Sequence, residues 1–120
     1  MTIKDLQKQK CAPCRKGTAP LSMTEARKRL PPLRGWSLTG RAKGLSKEYV
    51  MKDFKAAVAY INAILPVAQA EDHHPDVHLT GYRKLRIALS THEIGGLSEN
   101  DFILAAKIEL LPKKLKAARS

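Results

Sequence analysis

The fold class this sequence predicts is α+β: an antiparallel four-stranded sheet with helices packed on one face. Three observations lead there. Two pairs of short runs, 35–39 with 44–51 and 77–82 with 85–91, each flank a turn and read as hairpins. Stretches with helical spacing stand before, between and after the pairs. The chain has 120 residues, 43% hydrophobic and 28% charged, which suffices for one core and not for two. The element order is α-β-β-α-β-β-α, with a basic arm over 1–20, the domain over 21–112 and a basic tail over 113–120.

The arm holds Cys11-Ala12-Pro13-Cys14, flanked by lysines and followed by Gly17 and Pro20. It reads as mobile loop carrying two reduced thiols. A closed zinc site needs four ligands, which this C-x-x-C would reach only by pairing with a second copy of the chain. A redox pair would want a helix directly after it. Ser22-Met23-Thr24-Glu25 then forms a capping box that opens a helix through Ala26 to Leu30, stopped by Pro31-Pro32. In the first hairpin Trp36 and Leu38 share a face, and the turn spans Gly40 to Gly44.

Asp53 caps the middle helix, which runs to about Ala70. Phe54, Val58, Ile61, Leu65 and Ala68 make one apolar stripe, expected to face the core. Pro66 cannot donate to the carbonyl of Asn62, so a kink or an early end is expected there. In the second hairpin Leu85, Ile87 and Leu89 fall on one face and Arg86 and Ala88 on the other. Gly95-Gly96 turns the chain. Ser98 caps the last helix, Asp101 is its acidic third residue, and Leu97 and Phe102 stand where a hydrophobic staple would put them. Phe102, Ala105, Ala106 and Ile108 face the core, and Pro112 ends the helix.

Net charge is +11 and unevenly placed. Residues 1–50 carry 12 Lys/Arg against 3 acids, 51–106 carry 5 against 7, and 107–120 carry 5 against 1. Basic ends suit solvated tails, or attraction to an acidic partner. Only six aromatics are present and no basic helix is interleaved with them, so nucleic acid is not the expected partner. No apolar run reaches the length of a membrane span, and the N-terminal residues show no secretory pattern. The cytoplasm is the expected compartment.

Three of the four histidines fall in Glu71-Asp72-His73-His74-Pro75-Asp76-Val77-His78, and the fourth is His92. His74 and His92 are symmetric about residue 83, so a hairpin centred there would bring both to its open end, beside Asp72 and Asp76. Imidazoles converging there make an acid–base site, because imidazole gives or takes a proton near neutrality. His78 reads as structural. No carboxylate–histidine spacing fixes a metal geometry.

Asp72-His73-His74-Pro75, Tyr82, Thr91-His92-Glu93 and Gly96-Leu97-Ser98-Glu99-Asn100-Asp101, with Leu104-Ala105 and Ile108, resemble the pterin-4a-carbinolamine dehydratase family over about residues 22–110. The resemblance implies dehydration of a 4a-hydroxytetrahydropterin to the quinonoid dihydropterin, with no metal or organic cofactor, in a homodimer or a dimer of dimers. It implies that His73, His74 and His92 are catalytic: His74 as base, and His73 or His92 as acid at the leaving hydroxyl. It puts Asp72, Asp101 and Tyr82 in the substrate-binding set. One departure stands out. Four positions before the first histidine, where active members carry an ionisable residue, this chain has Gln69, with Glu71 near enough in sequence to substitute.

The chain is also similar to a branch of the family that serves as assembly factor for RuBisCO, in plastids and in α-carboxysome bacteria. The shared features are the C-x-x-C arm, the stretch from Pro75 to Tyr82 and the run from Gly95 to Ile108. That branch implies RuBisCO subunits as partners. The exposed edges of a four-stranded sheet likewise invite extension across a dimer.

Overall fold

A computed structural model describes residues 2–13 and 15–117. Helices α1 (Ile3–Lys8) and α2 (Met23–Arg29) precede the strands β1 (Ser37–Thr39) and β2 (Gly44–Val50). The long helix α3 (Phe54–Glu71) leads to β3 (Asp76–Thr80) and β4 (Lys84–Leu89). A 3-10 turn (His92–Ile94) and α4 (Glu99–Leu110) complete the order. The expected four-stranded antiparallel sheet is present, in the order β1-β2-β4-β3, with the second hairpin returning to pair β4 with β2.

Alternation along the strands decides which face the helices cover. Leu85, Ile87 and Leu89 of β4 are buried, and they register with Tyr49, Lys47 and Leu45 of β2. Helix α4 lies against this layer and is apolar nearly all round. Its residues Phe102 to Ala106 and Ile108 are all buried, because α1 packs on its other side. Leu97 and Phe102 are both fully buried, as a staple requires. Ser22 and Glu25 form the expected capping box at α2.

Three local expectations differ from what is found. The arm is not free loop. A Thr2–Asp5 capping box starts α1, whose Leu6 is buried in the core, and Leu21 N–H donates to Leu97 O. Pro20 then lies so close to Gly96 that a Cβ there would meet it at 2.7 Å. Of the two cysteines, Cys11 is half-buried, and Cys14 lies outside the described residues. Helix α3 also continues past Pro66 to Glu71, with no early end there. Asn62 and Pro66 are both exposed, so the carbonyl deprived of its donor faces water.

The third difference is rotational. Helix α3 carries two apolar stripes and buries the smaller-residue one, Ala56, Ala57, Tyr60, Ile64 and Ala68. Ala68 is common to the expected stripe, but Phe54 is 56% and Leu65 60% exposed. Small residues let α3 approach the layer below closely, while Phe54 and Leu65 would hold it off. The basic tail is likewise partly ordered. Lys52 N–H donates to Lys114 O at 2.9 Å and Lys116 N–H to Val50 O at 2.9 Å, which zips 114–116 onto the end of β2.

Candidate active site

The site forms where α3 ends. Asp72 adopts the left-handed conformation, φ 50°, which Asp tolerates better than most residues, and its N–H closes the helix on Ala68 O and Gln69 O. His73 N–H also donates to Ala68 O. This tight exit turns His73 inward. Its Nε2 lies 2.6 Å from Asp101 Oδ1, on a carboxylate with no solvent exposure.

Asp101 is held from several sides. Its Oδ2 accepts from the Thr91 hydroxyl at 2.8 Å and from Ser98 N–H at 2.9 Å. Thr91 Oγ1 is also 2.8 Å from Ser98 Oγ. The carboxylate that closes the capping box on Ser98 N–H is therefore also the anchor of an imidazole. A buried carboxylate accepts a hydrogen bond from the ring N–H beside it, so His73 is held with Nε2–H on Asp101 and its Nδ1 edge turned away from that carboxylate.

His74 takes a different partner. Its Nε2 is 2.7 Å from Gln69 Oε1, one turn back on α3. An amide oxygen only accepts, so His74 donates from Nε2 and keeps the Nδ1 lone pair free for a proton. Glu71 does not replace the carboxylate missing at position 69. Its Oε1 accepts from Cys11 N–H at 2.8 Å and its Oε2 from Lys107 Nζ at 3.0 Å. Burial pushes the Glu71 carboxyl up, but these two donors outweigh it and hold it below the usual range.

Next to His73 is a hollow of about 350 Å³, lined by Asp72, His73, Thr91 and Glu93 on one side and by Cys11 and Pro13 on the other. The arm is thus a wall of the site. Asn100 pins it: its Oδ1 accepts from Ala12 N–H at 2.9 Å and its Nδ2 donates to Ala12 O at 2.6 Å. Burial, with the Glu71 carboxylate beside it, pushes the Cys11 thiol up to about 12, so it stays protonated at neutral pH and is no nucleophile.

His92 is exposed, on a loop closed by the Thr91–Gly96 bridge. The β3–β4 register is centred on residue 82, not 83, since Thr80 pairs with Lys84 and Asp76 with Ala88. Carried on, that register sets His92 opposite Asp72 rather than His74. Tyr82 sits at the tip of the hairpin with φ 55°, exposed, its ring under Arg83. Five residues of β3 separate it from the histidine pair, a span of ~17 Å, so within one chain the two are not brought together. His78 is exposed and registers with Arg86. Thr91, Ser98 and Asn100 stand in the family motifs and Glu71 stands near enough in sequence to substitute at position 69, but none of the four is in the expected catalytic or substrate-binding set. The capping signal Ser98-x-x-Asp101 is the physical pattern that points to one of them.

Fold and site together define an α+β protein with a histidine–carboxylate hollow at the open end of its second hairpin. The chain belongs to the pterin-4a-carbinolamine dehydratase family: the family profile Pterin 4 alpha carbinolamine dehydratase matches residues 19–111. A Nitrosospira multiformis protein named for this dehydratase is 44% identical over 110 residues, covering 92% of this chain and 95% of the relative. A Nitrosomonas europaea protein of the same name is 46% identical, covering 91% and 95%. Among solved structures, a transcriptional coactivator/pterin dehydratase from Brucella melitensis superposes with TM-score 0.69 at 27% identity, over 75% of this chain and 95% of that one. A pterin dehydratase-like protein described as a RuBisCO assembly factor in the α-carboxysome shares the fold, with TM-score 0.53 at 18% identity over 63% of this chain and 87% of that one. Among the described residues no helix is long and apolar enough to cross a membrane.

Proposed function

We propose that the chain dehydrates a 4a-hydroxytetrahydropterin. The observation that carries this is the pairing of adjacent imidazoles with unlike partners, His73 on buried Asp101 and His74 on Gln69. The reaction removes a proton from a ring nitrogen and a hydroxyl from the neighbouring carbon. His74 Nδ1 takes the ring proton. The electron pair released forms the C=N bond, and the hydroxyl leaves as water with a proton given by His73 or His92. Asp72 at the rim and Asp101 beneath position the ring and the imidazole. A dehydration assay tests this directly. His74→Ala is expected to lose ~10²–10⁴-fold, more than His73→Ala. A folded wild-type chain without turnover would overturn the proposal.

A second reading has one observation in its favour. Gln69 puts a neutral amide on His74 where active members have an ionisable group. On this reading the scaffold binds RuBisCO subunits and assists their assembly. It predicts co-purification with RuBisCO subunits and no dehydration by either the wild type or Gln69→Glu. In both readings the chain works as a homodimer or a dimer of dimers.

A further inference from the structure

At the opposite end of α3 from the histidines, 18 residues or ~27 Å away, lies a second hollow, of about 550 Å³. Four lysines reach it from three segments: Lys52 after β2, Lys55 in the first turn of α3, and Lys113 and Lys114 after α4. Its one carboxylate, Asp53, is spent on capping, accepting from Ala56 N–H at 2.8 Å. Among the described residues Lys52, Lys55 and Lys114 form no ion pair.

The clustering is built into the backbone. The ladder that joins 114–116 to 50–52 sets Lys52 beside Lys114, and the Arg83 guanidinium donates to Lys52 O and to Met51 O. Lys113 is fixed by donating to the Glu109 and Leu111 carbonyls, with its ammonium over the Tyr60 ring at 5.4 Å. Burial pulls the Lys113 ammonium below its ordinary range despite the nearby Glu109 carboxylate. Lys55 stands at the positive end of a helix with no acidic residue in its first turn, against the usual preference. Like charges held together cost stability unless an anion sits among them. Ala59, Tyr60 and Pro112 give it an apolar side.

We propose that this hollow binds a small organic phosphate, its anionic groups among Lys52, Lys55 and Lys114 and its apolar body on Ala59, Tyr60 and Pro112. A concave site of this size takes one small molecule. An extended polyanion would instead want a basic stripe with interleaved aromatics, and this surface offers one ring.

The test uses the full chain, titrated with ATP, inorganic pyrophosphate and adenosine by calorimetry and by backbone amide shifts. ATP is expected to bind saturably and to shift amides over 52–59 and 113–114. Pyrophosphate should bind more weakly and adenosine not at all. Lys55→Ser and Lys114→Ser should each weaken ATP by about tenfold or more, the worth of a charge-assisted contact, while Lys55→Arg keeps it. Both lysines are exposed, so an unchanged urea midpoint separates lost binding from lost fold. Pterin dehydration, measured in parallel, should not move in these variants, which distinguishes this site from the histidine hollow. The proposal is overturned by absence of saturable ATP binding at millimolar concentration, by binding indifferent to both Ser variants, or by tighter binding of a single-stranded oligonucleotide or polyglutamate to the same lysines.

Discussion

Asp101 shows how much one residue can carry. It accepts from the N–H of Ser98, the N-cap of α4, accepts from Thr91 and holds His73, all without solvent exposure. Its sequence signal was strong, because a Ser-x-x-Asp before an apolar run is a capping pattern as well as part of the family motif. Gln69 was equally visible, but not its consequence, since which residue would meet His74 depends on how α3 ends. That end is set by Asp72 in the left-handed conformation, which no periodicity reveals. The Gln69–His74 bond gives a residue-scale prediction. Gln69→Glu keeps the acceptor 2.7 Å from Nε2 and adds a charge. It is expected to raise turnover in the dehydration assay, with KM little changed because position 69 does not line the hollow. A fall in kcat would mean that the neutral amide is what this site needs.

Elements were legible where a single pattern governed them. The hairpins, α2 and α4 follow from alternation, caps and breakers. Helix α3 was placed correctly along the chain but turned wrongly about its axis, because both of its stripes are apolar and bulk alone favoured Phe54 and Leu65. The arm was misread because its partners lie far off in sequence: Leu6 packs into the core, Cys11 meets Glu71, and Ala12 meets Asn100. Asn100 mimics a strand partner for Ala12 with both ends of its amide. Removing it strands backbone groups and frees the wall of the histidine hollow. Asn100→Ala is therefore expected to speed hydrogen exchange over residues 6–13 at least tenfold and to raise KM for the pterin more than it lowers kcat, as two lost hydrogen bonds worth about 1 kcal/mol each would allow. Unchanged exchange in that segment would show that α1 alone holds the arm.

At the scale of the molecule, Glu109 ties the sheet to α4. Its Oε1 accepts from Trp36 Nε1 at 2.9 Å, Lys47 Nζ at 2.7 Å and the Tyr49 hydroxyl at 2.5 Å. Nothing in the sequence marked it, because the three donors to Oε1 lie 60 or more residues away. Burial pushes this carboxyl up, but the hydrogen bonds from Lys47 and Tyr49, the Lys47 charge and the Trp36 bond outweigh it, leaving it below the usual range. A lowered folded value stabilises the protein above the ordinary carboxylate range, and that contribution is lost as pH falls through the lowered value. The urea midpoint of Glu109→Gln should thus lie furthest below wild type near neutrality, with the gap narrowing below about pH 4. A gap that widens in acid would reverse the assignment.

Assembly is the remaining question of scale, and the surface of α3 bears on it. Phe54 and Leu65 are more than half exposed, and Val58 and Ile61 continue their line along the helix between them. Leaving Phe54 and Leu65 in water forgoes up to roughly 1.5–3 kcal/mol for each of them that a partner could cover. The sheet meanwhile ends in two edges, β1 of three residues and β3 of five, and only β3 is long enough to template another strand. Two separate surfaces suit two separate contacts, one across β3 and one helix to helix. The chain is accordingly expected to scatter light as a dimer or a dimer of dimers at micromolar concentration. Leu65→Glu places a charge at one end of the apolar line without touching the core, so it should lower the measured mass by one step of assembly while the far-ultraviolet spectrum stays the same. If the mass stays unchanged, the α3 line is not part of the contact and the β3 edge carries it. If the unmodified chain is a monomer, neither surface is an interface.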